Sequence, residues 1–312
     1  MTSRYLLLPL AALAATLPAA AQQGDPDATV EILDYLPDET DRMTVPVNIG
    51  GSGPYRFLVD TGSERTVIST ELARSLGLEA AKRVRLHSMS GTSVVDTVRI
   101  PSIEVSNSAT RDIVAPALNR VHLGAVGMLG IDSLRSQRVL LDFDARTMTI
   151  SPSSRNAEVE DWGPDMIVVR ARTKLGQLIL TDAHIDGRRV RVVIDTGAQV
   201  SVGNAALRRL LTRGRIGSEP QPIELISVTG GRLVADYTTI NEIKIGGIQI
   251  NGMPVAFADA HPFRAFGLTR RPALLLGMDA LRLFDRVSVD FANRRVSFLL
   301  PDDPPSRTLA TR

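Results

Sequence analysis

Apolar and polar positions alternate along most of this chain in short runs broken by glycine, and few stretches carry a helical repeat. Val45-Pro46-Val47-Asn48-Ile49 and Tyr55-Arg56-Phe57-Leu58-Val59 flank Gly50-Gly51-Ser52-Gly53, which predicts strand, glycine turn and strand. The pattern returns in the second half as Leu178-Ile179-Leu180 through His184-Ile185, a turn at Asp186-Gly187, and Val190–Ile194. In each half a capping residue, Ser69 or Asn204, then opens a short helix, expected over Glu71–Leu76 and Ala206–Leu211. Hairpins with small polar tips follow, Ser88-Met89-Ser90-Gly91-Thr92 and Ser227-Val228-Thr229-Gly230-Gly231.

The ends of the halves agree most closely. Leu129-Gly130-Ile131-Asp132-Ser133-Leu134-Arg135 parallels Leu276-Gly277-Met278-Asp279-Ala280-Leu281-Arg282. Arg138–Phe143 then parallels Arg286–Phe291, and each half closes with a two-residue turn and a last strand. One architecture is used twice. The expectation is an all-β protein of two pseudo-symmetric lobes with short helices. Its divisions are 1–21, a leader; 22–42, an extension; 43–152, the first lobe; 153–164, a linker rich in Ser, Pro and acids; 165–300, the second lobe; and 301–312, a tail. An extra piece near Ala258–Pro272, carrying His261, Phe263 and Phe266, reads either as a loop overhanging a cleft or as an ordinary surface excursion.

Composition narrows the setting. Residues 1–21 have one charge, Arg4, an apolar stretch over Tyr5–Leu17 and a small-residue cleavage site at Ala19-Ala20-Ala21, the form of a secretory signal. Export to a bacterial periplasm, or secretion, is the expectation, with no membrane anchor in the mature chain. Cysteine is absent, which excludes disulfides, zinc–thiolate sites and an N-terminal lipid anchor on cysteine. Net charge is +2, and acids and bases are interspersed, so no nucleic-acid footprint emerges. The cluster Arg208, Arg209, Arg213 and Arg215 reads as a solvated helix face. The four histidines lack metal-ligand spacing, no Gly-x-Ser-x-Gly elbow occurs, and Gly50–Gly53 precedes a strand instead of joining strand to helix. No cofactor or metal is expected.

The candidate chemistry lies where two apolar runs end. Phe57-Leu58-Val59 runs into Asp60-Thr61-Gly62, and Val192-Val193-Ile194 into Asp195-Thr196-Gly197. A single such triplet is as readily a strand-to-turn signal. Two in matched contexts place paired carboxylates in one chain. Carboxyls about 3 Å apart cannot both ionise, so one can take a proton from water while the other donates one. Gly62 and Gly197 would let backbone amides approach the carboxylates, and Thr61 and Thr196 would hydrogen-bond across the join of the halves. Ser63 follows one triplet and Ala198 the other, so a Ser63 hydroxyl bond to Asp60 is expected to make the pair unequal. Asp132 and Asp279 read as N-caps of short helices, and Asp38-Glu39-Thr40-Asp41 as a solvated run.

Over roughly residues 43–300 the chain resembles the retropepsin/pepsin superfamily of aspartic peptidases, more narrowly the bacterial exported retropepsin-like proteins with two lobes fused in one chain. The resemblance implies acid-protease barrels with the active site at the lobe interface. It makes Asp60 and Asp195 the catalytic pair, Thr61 and Thr196 interlocking threonines, and Ser90, Gly91, Thr229 and Gly230 parts of two substrate-binding flaps. Met128-Leu129-Gly130 and Leu275-Leu276-Gly277 match the family's apolar-apolar-glycine segments. Two departures stand out: neither hairpin has a tyrosine near its tip, and Gln22–Arg42 is short and acidic, unlike a pepsin pro-segment. An endopeptidase acting on extended polypeptides, as a monomer of two lobes, is implied; a peptide-binding module without turnover is the alternative.

Overall fold

The computed structural model describes residues 31–34, 36–37, 43–106, 108–155, 157–185, 187–211 and 217–301. The leader, Asp38–Asp41, Asp186 of the second hairpin turn, Arg213, Arg215 and the tail after Pro301 lie outside these residues. Strands dominate, helices are short, and two sheets carry the repeated halves.

The first lobe is an eight-stranded sheet in the order Leu36–Pro37, Met43–Ile49, Ser52–Val59, Gly127–Leu129, Val67–Ser69, Ser108–Leu118, Gly91–Val105, Ala80–Ser88. Asn48 and Ile49 also pair with Glu104 and Ile103, folding the sheet back on itself. In the second lobe the corresponding strands, from Gln177–Ile185 to Gln221–Ile226, repeat this pattern, including the extra pairing of Ala183 and His184 with Ile245 and Lys244. The second sheet continues into six strands that both halves build: Glu31–Asp34, Thr147–Pro152, Gln137–Asp142, Arg286–Asp290, Arg295–Leu299 and Met166–Lys174. At its centre Gln137–Asp142 and Arg286–Asp290 run antiparallel, with Arg138 opposite Asp290 and Asp142 opposite Arg286. Arg286 Nε donates to Asp142 Oδ2 at 2.7 Å across this seam. A pseudo-twofold axis therefore passes between Leu140 and its partner Ser288.

The runs before the two aspartates are apolar without alternation because both faces are covered. Phe57 and Val59 join the main core while Leu58 joins a small cluster of the first lobe. Val192 and Ile194 join the main core while Val193 faces a cluster of the second lobe. The helices come close to expectation, at Thr70–Ser75 and Ala205–Leu211. Ser69 Oγ accepts from Leu72 N at 3.1 Å and Asn204 Oδ1 from Leu207 N at 2.8 Å, so both caps form. Among the described residues no helix is long and apolar enough to cross a membrane.

Candidate active site

Each aspartate sits where its strand ends against a parallel neighbour. Leu58 and Val59 pair with Met128 and Leu129, and Val193 and Ile194 with Leu275 and Leu276. The loops then match bond for bond. Asp60 N donates to Leu129 O and Asp195 N to Leu276 O, both at 3.0 Å. Ile131 N donates to Ser63 O and Met278 N to Ala198 O, both at 2.9 Å. Glycine is required at the crossing: a Cβ on Gly130 would meet Arg65 O at 2.5 Å, and one on Gly277 would meet Ala198 O at 3.0 Å.

Asp132 and Asp279 correct the sequence expectation. The residues at the N-terminal boundaries of these helices are Gly130 and Gly277, neither with a side-chain cap. The carboxylates instead hold the chain leaving each aspartate loop. Asp132 Oδ1 accepts from Thr66 N at 2.9 Å and Thr66 Oγ1 at 2.6 Å; Asp279 Oδ1 accepts from Ser201 N at 3.0 Å and Ser201 Oγ at 2.7 Å. Burial pushes the Asp279 carboxyl upward, opposed by these hydrogen bonds.

Between the lobes the threonines exchange bonds in a closed ring. Thr61 N donates to Thr196 Oγ1 at 3.1 Å and Thr196 N to Thr61 Oγ1 at 3.2 Å. The hydroxyls donate onward, Thr61 Oγ1 to Ile194 O at 3.0 Å and Thr196 Oγ1 to Val59 O at 2.7 Å. Both side chains are buried, so every donor and acceptor in the ring needs its partner. This ring fixes the separation of the two aspartates.

Asp60 and Asp195 meet across it, half-buried and hydrogen-bonded to one another. Burial, then the neighbouring Asp60 charge and their mutual hydrogen bond, push the Asp195 carboxyl well above the ordinary carboxylate range. Backbone amides partly oppose this: Gly197 N donates to Asp195 Oδ1 at 3.2 Å. On the other loop Gly62 N and Ser63 N donate to Asp60 Oδ1 at 2.8 and 3.1 Å. The glycines have a further reason. A Cβ on Gly62 would lie 2.6 Å from Asp195 Oδ1, and one on Gly197 would lie 2.6 Å from Asp60 Oδ1. Each glycine makes room for the carboxylate of the opposite lobe. The Ser63 hydroxyl does not do what its position suggested. It donates to Arg65 O at 2.8 Å, and only the Ser63 backbone serves Asp60.

The sequence of an aspartyl protease family, so described, matches residues 45–133 and 181–280, one aspartate loop in each stretch. The chain belongs to the aspartyl protease family. The two matched stretches agree with two fused retropepsin-like lobes. No curated protein matches the chain.

The two hairpins meet each other at their tips. The first turns at Met89-Ser90, with Ser88 opposite Gly91, and the second spans Ser227–Gly231. Ser88 Oγ lies 3.0 Å from Thr229 Oγ1, and Ser90 is packed against Gly231. Each tip also buries an apolar residue in the other lobe: Met89 packs on the second-lobe cluster containing Phe263 and Phe266, and Val228 on the first-lobe cluster containing Leu118 and Leu123. The extra piece at Ala258–Pro272 is thus packed against the tip of the first hairpin. Its helix His261–Ala265 begins with His261 N donating to Met89 O at 3.0 Å. The His261 ring stacks on His87 with centroids 4.9 Å apart and Nε2 2.7 Å from His87 Nδ1. The tip of the second hairpin meets a single imidazole, His122, over the backbone of Gly230.

One residue near the site escaped the sequence reading. Gln177, buried at the start of its strand, donates from Nε2 to Gly62 O at 3.1 Å. Its only sequence signal is a polar residue directly before the apolar run Leu178-Ile179-Leu180.

Proposed function

We propose that the protein is an aspartic endopeptidase in which Asp60 and Asp195 share one proton and activate a water between them. The observation that carries this reading is the juxtaposition of the two carboxyls, each seated over the glycine of the opposite loop and held there by the threonine ring, with burial and the neighbouring charge raising Asp195 above the ordinary carboxylate range. One proton shared between two carboxyls this close leaves one as the acid and the other as the base; we assign the acid to Asp195 and the base to Asp60. Asp60 takes a proton from the water as its oxygen bonds to the scissile carbonyl carbon, and Asp195 gives its proton to the carbonyl oxygen. Collapse of the tetrahedral species breaks the C–N bond, the amine leaves with the proton held by Asp60, and the hydroxyl proton returns to Asp195. An extended peptide would lie between the lobes beneath the flaps, paired along its backbone to their edges. Ser90, Gly91, Thr229 and Gly230 form the roof of that channel.

The test is cleavage of a peptide library across pH by the mature protein, with and without a pepstatin-type inhibitor, beside Asp60→Asn and Asp195→Asn. Inhibitor-sensitive cleavage lost in both variants is expected. Cleavage surviving either substitution would sink the proposal, and retained peptide binding with no cleavage at any pH would establish the binding-module alternative.

A further inference from the structure

Gln177 belongs to the second lobe, yet its amide reaches the aspartate loop of the first. The orientation of that amide follows from chemistry. Gly62 O can only accept, so the nitrogen of Gln177 must face it and Oε1 points away. Oε1 is buried and has no hydrogen-bond partner. An unpaired buried carbonyl carries a desolvation cost that methionine or leucine here would not. The glutamine carries an unpaired oxygen at this position, and the bond from its nitrogen lies on the candidate site.

That bond is placed on a particular peptide unit. Gly62 C=O and Ser63 N–H belong to the same planar amide, whose resonance couples the two ends. A donor on the oxygen withdraws electron density and makes the N–H a stronger donor. Ser63 N–H points at Asp60 Oδ1, 3.1 Å away. The chain of bonds runs Gln177 Nε2–H to Gly62 O, through the amide, and from Ser63 N–H to Asp60. The support reaches Asp60 from the opposite lobe, through the backbone of its own loop.

We propose that Gln177 is a positioning residue that sets the order of ionisation in the carboxyl pair, making Asp60 the group that loses its proton first by polarising the Gly62–Ser63 amide. The inference deepens the peptidase reading and rests on it for its catalytic meaning. It replaces the Ser63 hydroxyl as the source of asymmetry and assigns the base to the first lobe and the acid to the second. The device is built across the lobe interface, so separation of the lobes disables it together with the dyad.

The test is a carbon-13 NMR titration of protein labelled at aspartate carboxyls, in wild type, Gln177→Met and Gln177→Leu. Both substitutions keep an apolar or flexible filler and remove the donor. In wild type Asp60 ionises first and Asp195 last, as two midpoints of a coupled pair. Loss of the donor is expected to raise the lower midpoint by roughly half a unit, a threefold change in the ionisation constant, with a smaller change in the upper one. A readout in wild type alone guards against variants that do not fold: the Ser63 amide proton should resonate downfield of Ala198. Unchanged midpoints in a folded variant, Asp195 ionising first, or equivalent Ser63 and Ala198 amide shifts would each overturn the proposal. Failure of the peptidase reading is separate, visible as wild-type protein that titrates in this order and cleaves no peptide.

Discussion

The two aspartate loops are nearly superimposable in their bonding, while the hairpins above them are not. Backbone bonds and the Thr66–Asp132 and Ser201–Asp279 ties recur at matching distances in both lobes, and a glycine crosses each loop. The hairpins share a cross-lobe anchor, but only the first is tied to the opposite lobe by a stacked histidine pair. The contrast teaches where symmetry is demanded. A carboxyl pair about an axis must be held equally from both sides. A cover needs only to close. One side chain crosses between the lobes to an aspartate loop: Gln177 Nε2 donates to Gly62 O, and on our proposal it gives the dyad its asymmetry.

Substitutions at the glycines break the loop symmetry most severely. In Gly197→Ala the new methyl would meet the Asp60 carboxylate, and in Gly62→Ala it would meet Asp195. Either should lower kcat/KM by about 100-fold or more through displacement of the opposite carboxyl. Circular dichroism should remain that of the folded protein. Equal activity in wild type and both variants would show that the carboxyls do not act as a close pair.

Thr196→Val tests the ring. It removes the donor to Val59 O and the acceptor for Thr61 N, both buried. Loss of about 2–4 kcal/mol in urea unfolding is expected, and Thr61→Val should cost a similar amount because its bonds mirror these. A large difference between the two would mean the ring is less symmetric than its geometry.

The smallest effect separates the flaps by pH. Burial, His87 and the Arg264 guanidinium all hold the His261 imidazole below its ordinary value. The closed flap thus binds protons less well than an open one, so the tie is present above the histidine range and weakens as pH falls through it. Amide exchange over 85–92, corrected for intrinsic rate, should rise several-fold from pH 7.5 to 5. The segment 224–232 should change less. His87→Phe combined with His261→Phe keeps a stack without charge and should abolish the difference.

Much of this was legible in the chain. The repeated halves, the caps at Ser69 and Asn204, the aspartate loops and the hairpins are local signals, set by strand alternation, glycine and short-range hydrogen bonding. What lay beyond it depends on long-range packing. Ser63 looked like the source of asymmetry because its hydroxyl is near Asp60 in sequence; the loop turns it to Arg65. Asp132 and Asp279 looked like caps because they open helices; their partners, Thr66 and Ser201, lie 66 and 78 residues away. Gln177, 115 residues from Gly62, and the exchange of Met89 and Val228 between lobes have no local signature.

The central claim is that two loops from two lobes form one catalytic unit. Its most direct test is kcat/KM for Asp60→Asn, Asp195→Asn and the double variant on a peptide the wild type cleaves. Groups that act as a unit lose nearly everything with the first removal. All three variants should therefore fall to the same floor, at least about 1,000-fold below wild type. A single variant that keeps substantial activity, or losses that add in the double variant, would contradict the account.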